Sequence, residues 1–363
     1  MRAAVRASIR ASLGATLAVA FLLSTAAPAR ATFSIVAYDS VTQEVGVAVQ
    51  SRAFSVGMAV PWAEAGVGGI ATQASTNESF GPMGLALLRK GRPAPEVLRT
   101  LLAADSGASH RQVGIVDTKG RSAAHTGADC SPWAGHRTGP GYSIQGNILA
   151  GEAVATEMER AFLSTGGELA GRLLAALQAG QAAGGDKRGQ QSAALLVVRP
   201  SKEYPEYNTR YIDLRVEDNR EPIQELTRVF GILEATKLSE AHLRFAEEYE
   251  KTGRKDLAQM ERERVGEALK RALARGENDP SNLNGLAWTC ATNGVFLPEA
   301  LDAAERAVAL EPKSSGILDT LAEVHFRMGH ADKAAEVEAH ALDLEPNDSY
   351  LKAQLARFRA GAK

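Results

Sequence analysis

Cysteine, net charge and long hydrophobic stretches are all scarce in this sequence of 363 residues. The two cysteines, Cys130 and Cys290, belong to no Cys-x-x-Cys pair or His/Cys cluster, so the sequence predicts neither a disulfide framework nor a metal site. A formal net charge of −2 gives no general attraction to nucleic acid or to an anionic membrane. Beyond the N-terminal segment no run is apolar enough to cross a bilayer, so no membrane span is predicted in the mature protein.

That N-terminal segment, residues 1–31, has the composition of a secretory signal peptide. It has three arginines among its first ten residues and contains no acid; an apolar run at residues 15–23 follows, and Ala29 and Ala31 occupy the −3 and −1 positions of a cleavage site. Cleavage after Ala31 is therefore predicted, which makes Thr32 the first residue of a periplasmic or secreted protein. The alternative is that the segment is retained as an N-terminal anchor.

Residues 32–220 are predicted to form a mixed α/β domain. The pattern of short apolar strands and amphipathic helices changes several times along this region. Strands are predicted at Thr32–Tyr38 and at residues 45–49, 66–73, 113–117, 121–125, 142–145, 192–198 and 211–216, and helices at residues 80–90, 93–104, 152–164 and 168–183. Residues 130–141 are predicted to be a long polar loop. This order indicates an α+β fold, with two antiparallel sheets sandwiched between helices.

The C-terminal third is helical and repetitive. Residues 310–314 (LEPKS) recur as residues 344–348 (LEPND), 34 residues later, and a more divergent unit precedes them. A period of this length with small residues at fixed positions is typical of tetratricopeptide (TPR) repeats. We expect about three helix pairs in residues 241–363, after a linker helix in residues 221–240. The repeats are expected to bind a protein partner or to stack protomers into a homo-oligomer.

Thr32 carries the most specific chemistry in the sequence. A threonine at a free N-terminus has a hydroxyl nucleophile and, in its own α-amino group, a base with a pKa of about 8. Such a residue needs no separate Ser-His-Asp set. The alternative is that Thr32 is only the small residue that a signal peptidase tolerates after its cut.

Several stretches of the α/β region resemble the bacterial family DUF1028, which is assigned to the N-terminal-nucleophile hydrolase superfamily. They are residues 32–37 (TFSIVA), 60–63 (VPWA), 71–74 (ATQA), 131–136 (SPWAGH), 139–147 (GPGYSIQGN) and 180–189 (GQAAGGDKRG). The resemblance covers about half of the chain. It implies a four-layer αββα sandwich and an N-terminal threonine as nucleophile.

The resemblance also indicates which mechanism within the superfamily fits. Proteasome-type members carry a catalytic Asp in an Asp-Ser-Arg sequence and a catalytic lysine on the third strand. The comparable stretch here reads Gln50-Ser51-Arg52, and residues 61–73 offer no matching lysine. The chain therefore looks more like acylase-type members, in which the α-amino group suffices and an asparagine helps to bind the oxyanion.

Seven residues are predicted to act at the site. Thr32 is the predicted nucleophile, and Asn147 is the predicted oxyanion donor or else a turn or cap residue. Asn77 is a second candidate donor. The residues predicted to contact substrate are Asn77, His136, Arg137, Asp186 and Arg188. Each has an alternative: His136 packed on Trp133, Arg137 and Arg188 as surface charges, and Asp186 as a turn residue.

These observations favour an exported hydrolase that cleaves an amide or a related C–N bond in a small molecule or a peptide. The glycine-rich residues 184–189 lack the pattern of a phosphate-binding loop, and no cofactor is predicted. The alternative is a non-catalytic scaffold that captures a peptide or a protein with its helical repeats.

Overall fold

The computed structural model describes residues 32–200, 210–274 and 276–361. The predicted signal peptide, residues 1–31, lies outside these ranges. No helix among the described residues combines the length and the apolar character needed to traverse a membrane.

The N-terminal region contains two stacked antiparallel sheets. Sheet A has six strands in the order β10-β9-β2-β1-β8-β7, and sheet B has four in the order β3-β4-β5-β6. The strands are β1 (Thr32–Tyr38), β2 (Val45–Ser51), β3 (Pro61–Glu64), β4 (Gly68–Ala74), β5 (Arg111–Asp117), β6 (Ser122–Thr126), β7 (Gly135–Gly139), β8 (Tyr142–Asn147), β9 (Ser192–Val198) and β10 (Arg210–Val216). Thr32 is thus the first residue of a central strand of sheet A.

Helices cover the outer face of each sheet. On sheet B lie α1 (Phe80–Arg89) and α2 (Ala94–Ala103). On sheet A lie α3 (Ala153–Ser164), α4 (Leu169–Ala182) and α5 (Pro222–Leu233). The predicted αββα sandwich is confirmed. The helix predicted as a linker, α5, packs on β9 and β10 and buries Phe230 in the same core as Phe33.

Strand alternation explains the layers. In β1, Phe33 and Ile35 are fully buried under α3 and α4, whereas Val36 points into the space between the sheets. In β2, Ala48 lies on the helix side, and Val47 lies between the sheets. Successive side chains of a strand leave on opposite faces, so a strand buried on both faces is apolar almost throughout. A one-residue slip of β1 would exchange the two faces.

Two edge strands differ from the sequence-based prediction. Residues 130–141 were expected to be a loop, but Gly135–Gly139 forms β7 and pairs with β8. Its residues alternate between half-buried and exposed and are all polar or glycine, so they lack the apolar alternation that indicates a strand. The short strand β3, Pro61–Glu64, was not predicted. It begins with a proline, which an edge strand tolerates at its first position.

The C-terminal region is a stack of antiparallel helices. A π-helical segment, Glu234–Leu238, leads from α5 into it. The helices are α6 (Ser239–Lys251), α7 (Lys255–Ala274), α8 (Pro280–Asn293), α9 (Leu297–Leu310), α10 (Ser315–Arg327), α11 (Ala331–Leu344) and α12 (Ser349–Gly361). They form three pairs and a final helix. Alanines such as Ala287, Ala300 and Ala307 are fully buried, which lets neighbouring helices approach closely.

The first helix pair meets the sandwich at a buried group of charged side chains, which we call the junction cluster. Arg199, which follows β9, donates one hydrogen bond to Glu44 at 3.1 Å and another to Glu261 on α7 at 2.7 Å. Its guanidinium also stacks on Phe245, 3.6 Å from the ring centroid. The members of the cluster are Glu44, Glu168, Arg199, His242, Glu261 and Arg264.

Within the junction cluster, His242 lies between two acids. Its Nδ1 is 2.7 Å from Glu261 Oε2, and its Nε2 is 3.7 Å from Glu168 Oε2. Burial alone would lower the pKa of His242, but the two carboxylates outweigh it and raise that pKa above its ordinary value. Burial likewise opposes ionisation of Glu261, yet His242 and Arg199 bring the pKa of Glu261 down to about 2. The two acids therefore favour the protonated form of His242.

Candidate active site at the start of the first strand

Thr32 is buried at one end of sheet A. It pairs in register with Ser51 at the end of β2 on one side and with Asn147 at the end of β8 on the other. Its hydroxyl oxygen lies 3.0 Å from the hydroxyl oxygen of Ser51, and the residue is only 2% exposed. The three strand ends therefore bring two hydroxyls and one carboxamide to the same place.

The side chains of Thr32 and Ser34 point into the space between the sheets. Away from this end, that space is filled by an apolar cluster of Val36, Val47, Val49, Val56, Val60, Ala71, Val116 and Ala194. Towards Thr32 it is filled by fully buried polar side chains from both sheets. The apolar half holds the sheets together, and the polar half surrounds Thr32.

Two glutamines of sheet B connect this space to Thr32 and Asn147. Gln73 on β4 donates from Nε2 to the backbone carbonyl of Thr32 at 3.2 Å and to Gln112 Oε1 at 2.8 Å. Gln112 on β5 accepts a hydrogen bond from Asn147 Nδ2 at 3.0 Å and donates to the carbonyl of Gly146 at 2.7 Å. We call the buried side chains of Ser34, Gln73, Gln112, Ser143, Gln145 and Asn147 the amide network.

The remaining members extend the amide network across sheet A. Ser34 donates to Gln73 Oε1 at 2.6 Å and accepts from Gln145 Nε2 at 2.6 Å. Ser143 donates to Gln145 Oε1 at 2.8 Å. Gly114 on β5 leaves the room for this arrangement, because a Cβ atom there would lie only 2.1 Å from Gln145 Oε1.

Asp186 anchors the glycine-rich residues 184–189 beside the same strand ends. It is 3% exposed and accepts hydrogen bonds from the backbone N–H groups of Arg52 at 2.9 Å and of Arg188 at 2.8 Å. The guanidinium of Arg188 donates to Asp186 Oδ2 at 3.0 Å. A bridge between Leu149 and Asp186 aligns this loop with the chain that follows Asn147. The pair of Asp186 and Arg188 therefore lies at the end of the sandwich that contains Thr32.

His136 and Arg137 are neighbours on β7 and lie on opposite faces. His136 pairs with Gln145, and its Nδ1 is 2.9 Å from the hydroxyl of Thr126, which also accepts from Gln112 at 3.0 Å. Burial and then the nearby His125 lower the pKa of His136 below its ordinary value. Arg137 instead donates to Glu159 on α3 at 2.5 Å, on the helix side of sheet A. The structure thus connects His136 to the amide network and directs Arg137 away from it.

Asn77 lies in the turn between β4 and α1. Its Oδ1 accepts from the backbone N–H of Ser79 at 3.2 Å, and its Nδ2 donates to Asp105 at 3.3 Å. These contacts organise the start of α1. Asn77 is therefore three residues beyond the end of β4, with its side chain committed to this turn.

The residues that the sequence analysis missed are the glutamines. Gln73, Gln112 and Gln145 are fully buried in β4, β5 and β8, respectively. A usable signal was present, because Ser143, Gln145 and Asn147 alternate with period two in one short strand. Among the described residues, no group of three or more His, Cys, Asp or Glu side chains converges in the manner of a metal site.

Comparisons with known proteins agree with this architecture. The model of a family of unknown function, DUF1028, matches residues 32–226. A crystal structure of a protein from Silicibacter pomeroyi, assigned to the same family model, is 30% identical, with a TM-score of 0.51, and covers 56% of this chain and 89% of that chain. No curated protein matches.

The helical region is similar to TPR proteins. The first TPR domain of human RPAP3 is 16% identical, with a TM-score of 0.24, and covers 34% of this chain and 92% of that chain. A thermophilic TPR protein from Thermus thermophilus is 24% identical, with a TM-score of 0.24, and covers 34% of this chain and 64% of that chain.

Because the family model spans residues 32–226, more than half of the sequence, this chain belongs to the DUF1028 family.

Proposed function

We propose that this protein is an exported hydrolase of the N-terminal-nucleophile type, which cleaves an amide or a related C–N bond after residues 1–31 have been removed. The observation that carries the proposal is the position of Thr32. It begins a central strand, its hydroxyl contacts Ser51 Oγ at 3.0 Å, and its register partner is Asn147. A hydroxyl on the surface, remote from any other polar group, would offer no such environment.

In the proposed reaction, one residue provides two groups. The liberated α-amino group of Thr32, with a pKa of about 8, accepts the proton of the hydroxyl as Oγ1 attacks the acyl carbon. Ser51 lies within hydrogen-bond distance of that hydroxyl and can orient it. The C–N bond then breaks, the protonated amine supplies the proton to the leaving nitrogen, and water hydrolyses the acyl-threonine ester.

Asn147 is the proposed donor to the oxyanion. Its Nδ2 gives one hydrogen to Gln112, and the second hydrogen remains for the acyl oxygen. An asparagine in this role is worth about 100- to 1,000-fold in rate in other hydrolases. Support from Asp186 is indirect in this proposal, since its carboxylate is occupied by Arg188 and by the N–H of Arg52.

The proposed substrate is a small-molecule or peptide amide. Arg52 and Lys187 are exposed beside the strand ends, and Lys187 Nζ lies 3.5 Å from the carbonyl of Pro132. Cationic side chains beside these strand ends favour a substrate whose acyl group or leaving group carries a carboxylate. His136 lies on β7, at the edge of sheet A, where it contacts Thr126.

The decisive experiment combines N-terminal sequencing of the exported protein with reaction of that protein with a β-lactone probe. We expect sequencing to begin at Thr32 and the probe to acylate Thr32, as located by mass spectrometry. The Thr32→Ala variant should not react.

The matched control is Thr42→Ala. Thr42 is also buried, at 4% exposure, but it lies in the turn at the opposite end of β1 and β2. This variant should react as the wild type does. A mature chain that begins at Phe33 or later, or a probe that acylates another residue in preference to Thr32, would exclude the proposed mechanism.

The second candidate function is capture of a peptide or protein by the helical repeats, without catalysis. It is favoured by an open cleft of about 340 Å³ between α6 and α8, lined by Trp288, Arg244, Glu240 and neighbouring polar residues. A half-buried tryptophan beside charged groups is the kind of anchor that interfaces use. Retention of a partner by Thr32→Ala but not by Trp288→Ala would separate this role from hydrolysis.

A further inference from the structure

The chemical identity of each end of Gln112 follows from what surrounds it. One end lies 2.7 Å from the carbonyl oxygen of Gly146 and 3.1 Å from that of Gly135. Carbonyl oxygens only accept hydrogen bonds, so this end must be the NH₂ group. The other end is therefore Oε1, and it can only accept.

This assignment fixes the orientation of Asn147. The atom of Asn147 that lies 3.0 Å from Gln112 Oε1 must be a donor, so it is Nδ2. Gln73 is fixed by the same reasoning, because its Nε2 lies 3.2 Å from the carbonyl of Thr32 and 3.3 Å from that of Gln145. The backbone carbonyls of sheet A thus orient Gln112 and Gln73 directly, and they orient Asn147 through Gln112.

We propose that Gln112 is a positioning residue of this site: from sheet B it holds the carboxamide of Asn147 in the one orientation that presents an N–H, rather than an oxygen, towards the acyl group on Thr32. This role rests on the proposed function. Without Gln112, the Asn147 carboxamide could rotate by 180° and place its oxygen where the oxyanion forms. Two oxygens with partial negative charge would then repel each other.

The arrangement also explains why the site needs both sheets. Thr32 and Asn147 belong to adjacent strands of sheet A, and Gln112 extends from β5 of sheet B to contact Asn147. Gln73 crosses from β4 and holds the carbonyl of Thr32 itself. The apolar half of the space between the sheets sets their separation and therefore the length of these hydrogen bonds.

The test measures the rate at which the mature protein reacts with the β-lactone probe at Thr32, between pH 5 and 9. We expect Gln112→Met to react at least about tenfold more slowly than the wild type, since losing a preorganised donor slows comparable enzymes by about 100-fold or more. The control is Gln50→Met. Gln50 is equally buried on the neighbouring strand but lies on the helix side of sheet A, and it should keep the wild-type rate within about twofold.

The isosteric variant Gln112→Glu supplies a readout that a purely structural role would not move. When protonated, its carboxyl donates to Gly146 and accepts from Asn147 as glutamine does, and when ionised it cannot donate. Its rate relative to the wild type should therefore rise as the pH falls. Circular dichroism of each variant verifies folding.

The outcomes separate the two proposals. A wild type that does not react at Thr32 overturns the proposed function and with it the role of Gln112. A reactive wild type accompanied by a Gln112→Met variant of equal rate, or by a Gln112→Glu variant whose relative rate does not change with pH, overturns the positioning role alone.

Discussion

The amide network and the junction cluster are both buried and both polar, but their chemistry is opposite. The amide network consists of neutral carboxamides and hydroxyls, oriented by backbone carbonyls of sheet A. The junction cluster consists of three acids and three bases that connect the sandwich to α6 and α7. The first surrounds the proposed nucleophile, and the second fixes one domain on the other.

The difference shows what each kind of buried contact is suited to. Neutral hydrogen bonds are directional and independent of pH, so they can hold a carboxamide in one orientation over the whole pH range in which an enzyme works. Buried charges stabilise each other strongly but carry a large desolvation penalty. Removing one partner leaves the other charge buried without compensation, which strongly destabilises the protein. The junction cluster should therefore be the more sensitive of the two, both to substitution and to pH.

The largest effect is expected from Glu261→Ala. This change leaves Arg199 and His242 without their shared carboxylate, so the unfolding free energy should fall by about 3–5 kcal/mol in urea denaturation. The control is Glu250→Ala, which removes an exposed partner of Arg262 and should change that free energy by about 1 kcal/mol or less. Equal losses in the two variants would mean that the junction cluster contributes no more than a surface ion pair.

A smaller change in the unfolding free energy is expected when the pH is raised and His242 loses its proton. Its folded-state pKa is raised by Glu168 and Glu261 against burial, so its contribution is complete below its unfolded pKa of about 6.5 and is lost as the pH rises through the folded value. The unfolding free energy of the wild type should fall over that window. Burial and the neighbouring Asp319 raise the pKa of Glu338 to about 8. Ionisation of Glu338 therefore lowers the unfolding free energy further as the pH rises towards that value.

The comparison with His242→Gln isolates the histidine. This variant should lose the part of the pH dependence that belongs to His242 and keep the part that belongs to Glu338. An exposed histidine of α11 provides the control variant, His340→Gln, which should retain the full wild-type profile. Identical profiles for His242→Gln and the wild type would contradict an imidazolium in the junction cluster.

The smallest changes in the unfolding free energy are expected from substitutions of two buried glutamines, Gln112 and Gln50. Gln112→Met removes the partners of Asn147 and of the Gly146 carbonyl, and should lower the unfolding free energy by about 1–3 kcal/mol. Neither amide atom of Gln50 has a hydrogen-bond partner among the described residues, so Gln50→Met should raise that free energy by about 1 kcal/mol. Thermal unfolding of both variants measures the contrast, and equal losses would show that Gln50 is satisfied in solution.

How much could be predicted differs between the strands. β9 was predictable because apolar residues run without interruption from residue 193 to residue 198, and β1 was predictable as a short, mostly apolar segment with weak alternation. β7 was not, because a polar edge strand is stabilised by its hydrogen bonds to β8 rather than by an apolar face. In the candidate site, Thr32 and Asn147 were predicted from their positions and from the family resemblance, whereas their register pairing is a property of the folded sheet.

The sequence by itself determined most of the succession of strands and helices in the α/β region, except β3 and β7. It also determined the 34-residue repeat period and the threonine that follows the predicted cleavage point, since periodicity and motif spacing are local properties of the chain. Only the tertiary structure decided that Gln112 contacts Asn147 across the gap between the sheets and that Glu44, Arg199 and Glu261 meet at the junction. These contacts join residues that are between 35 and 155 positions apart in the sequence. No local pattern records which distant polar groups will share one buried space, because that depends on how complete layers pack.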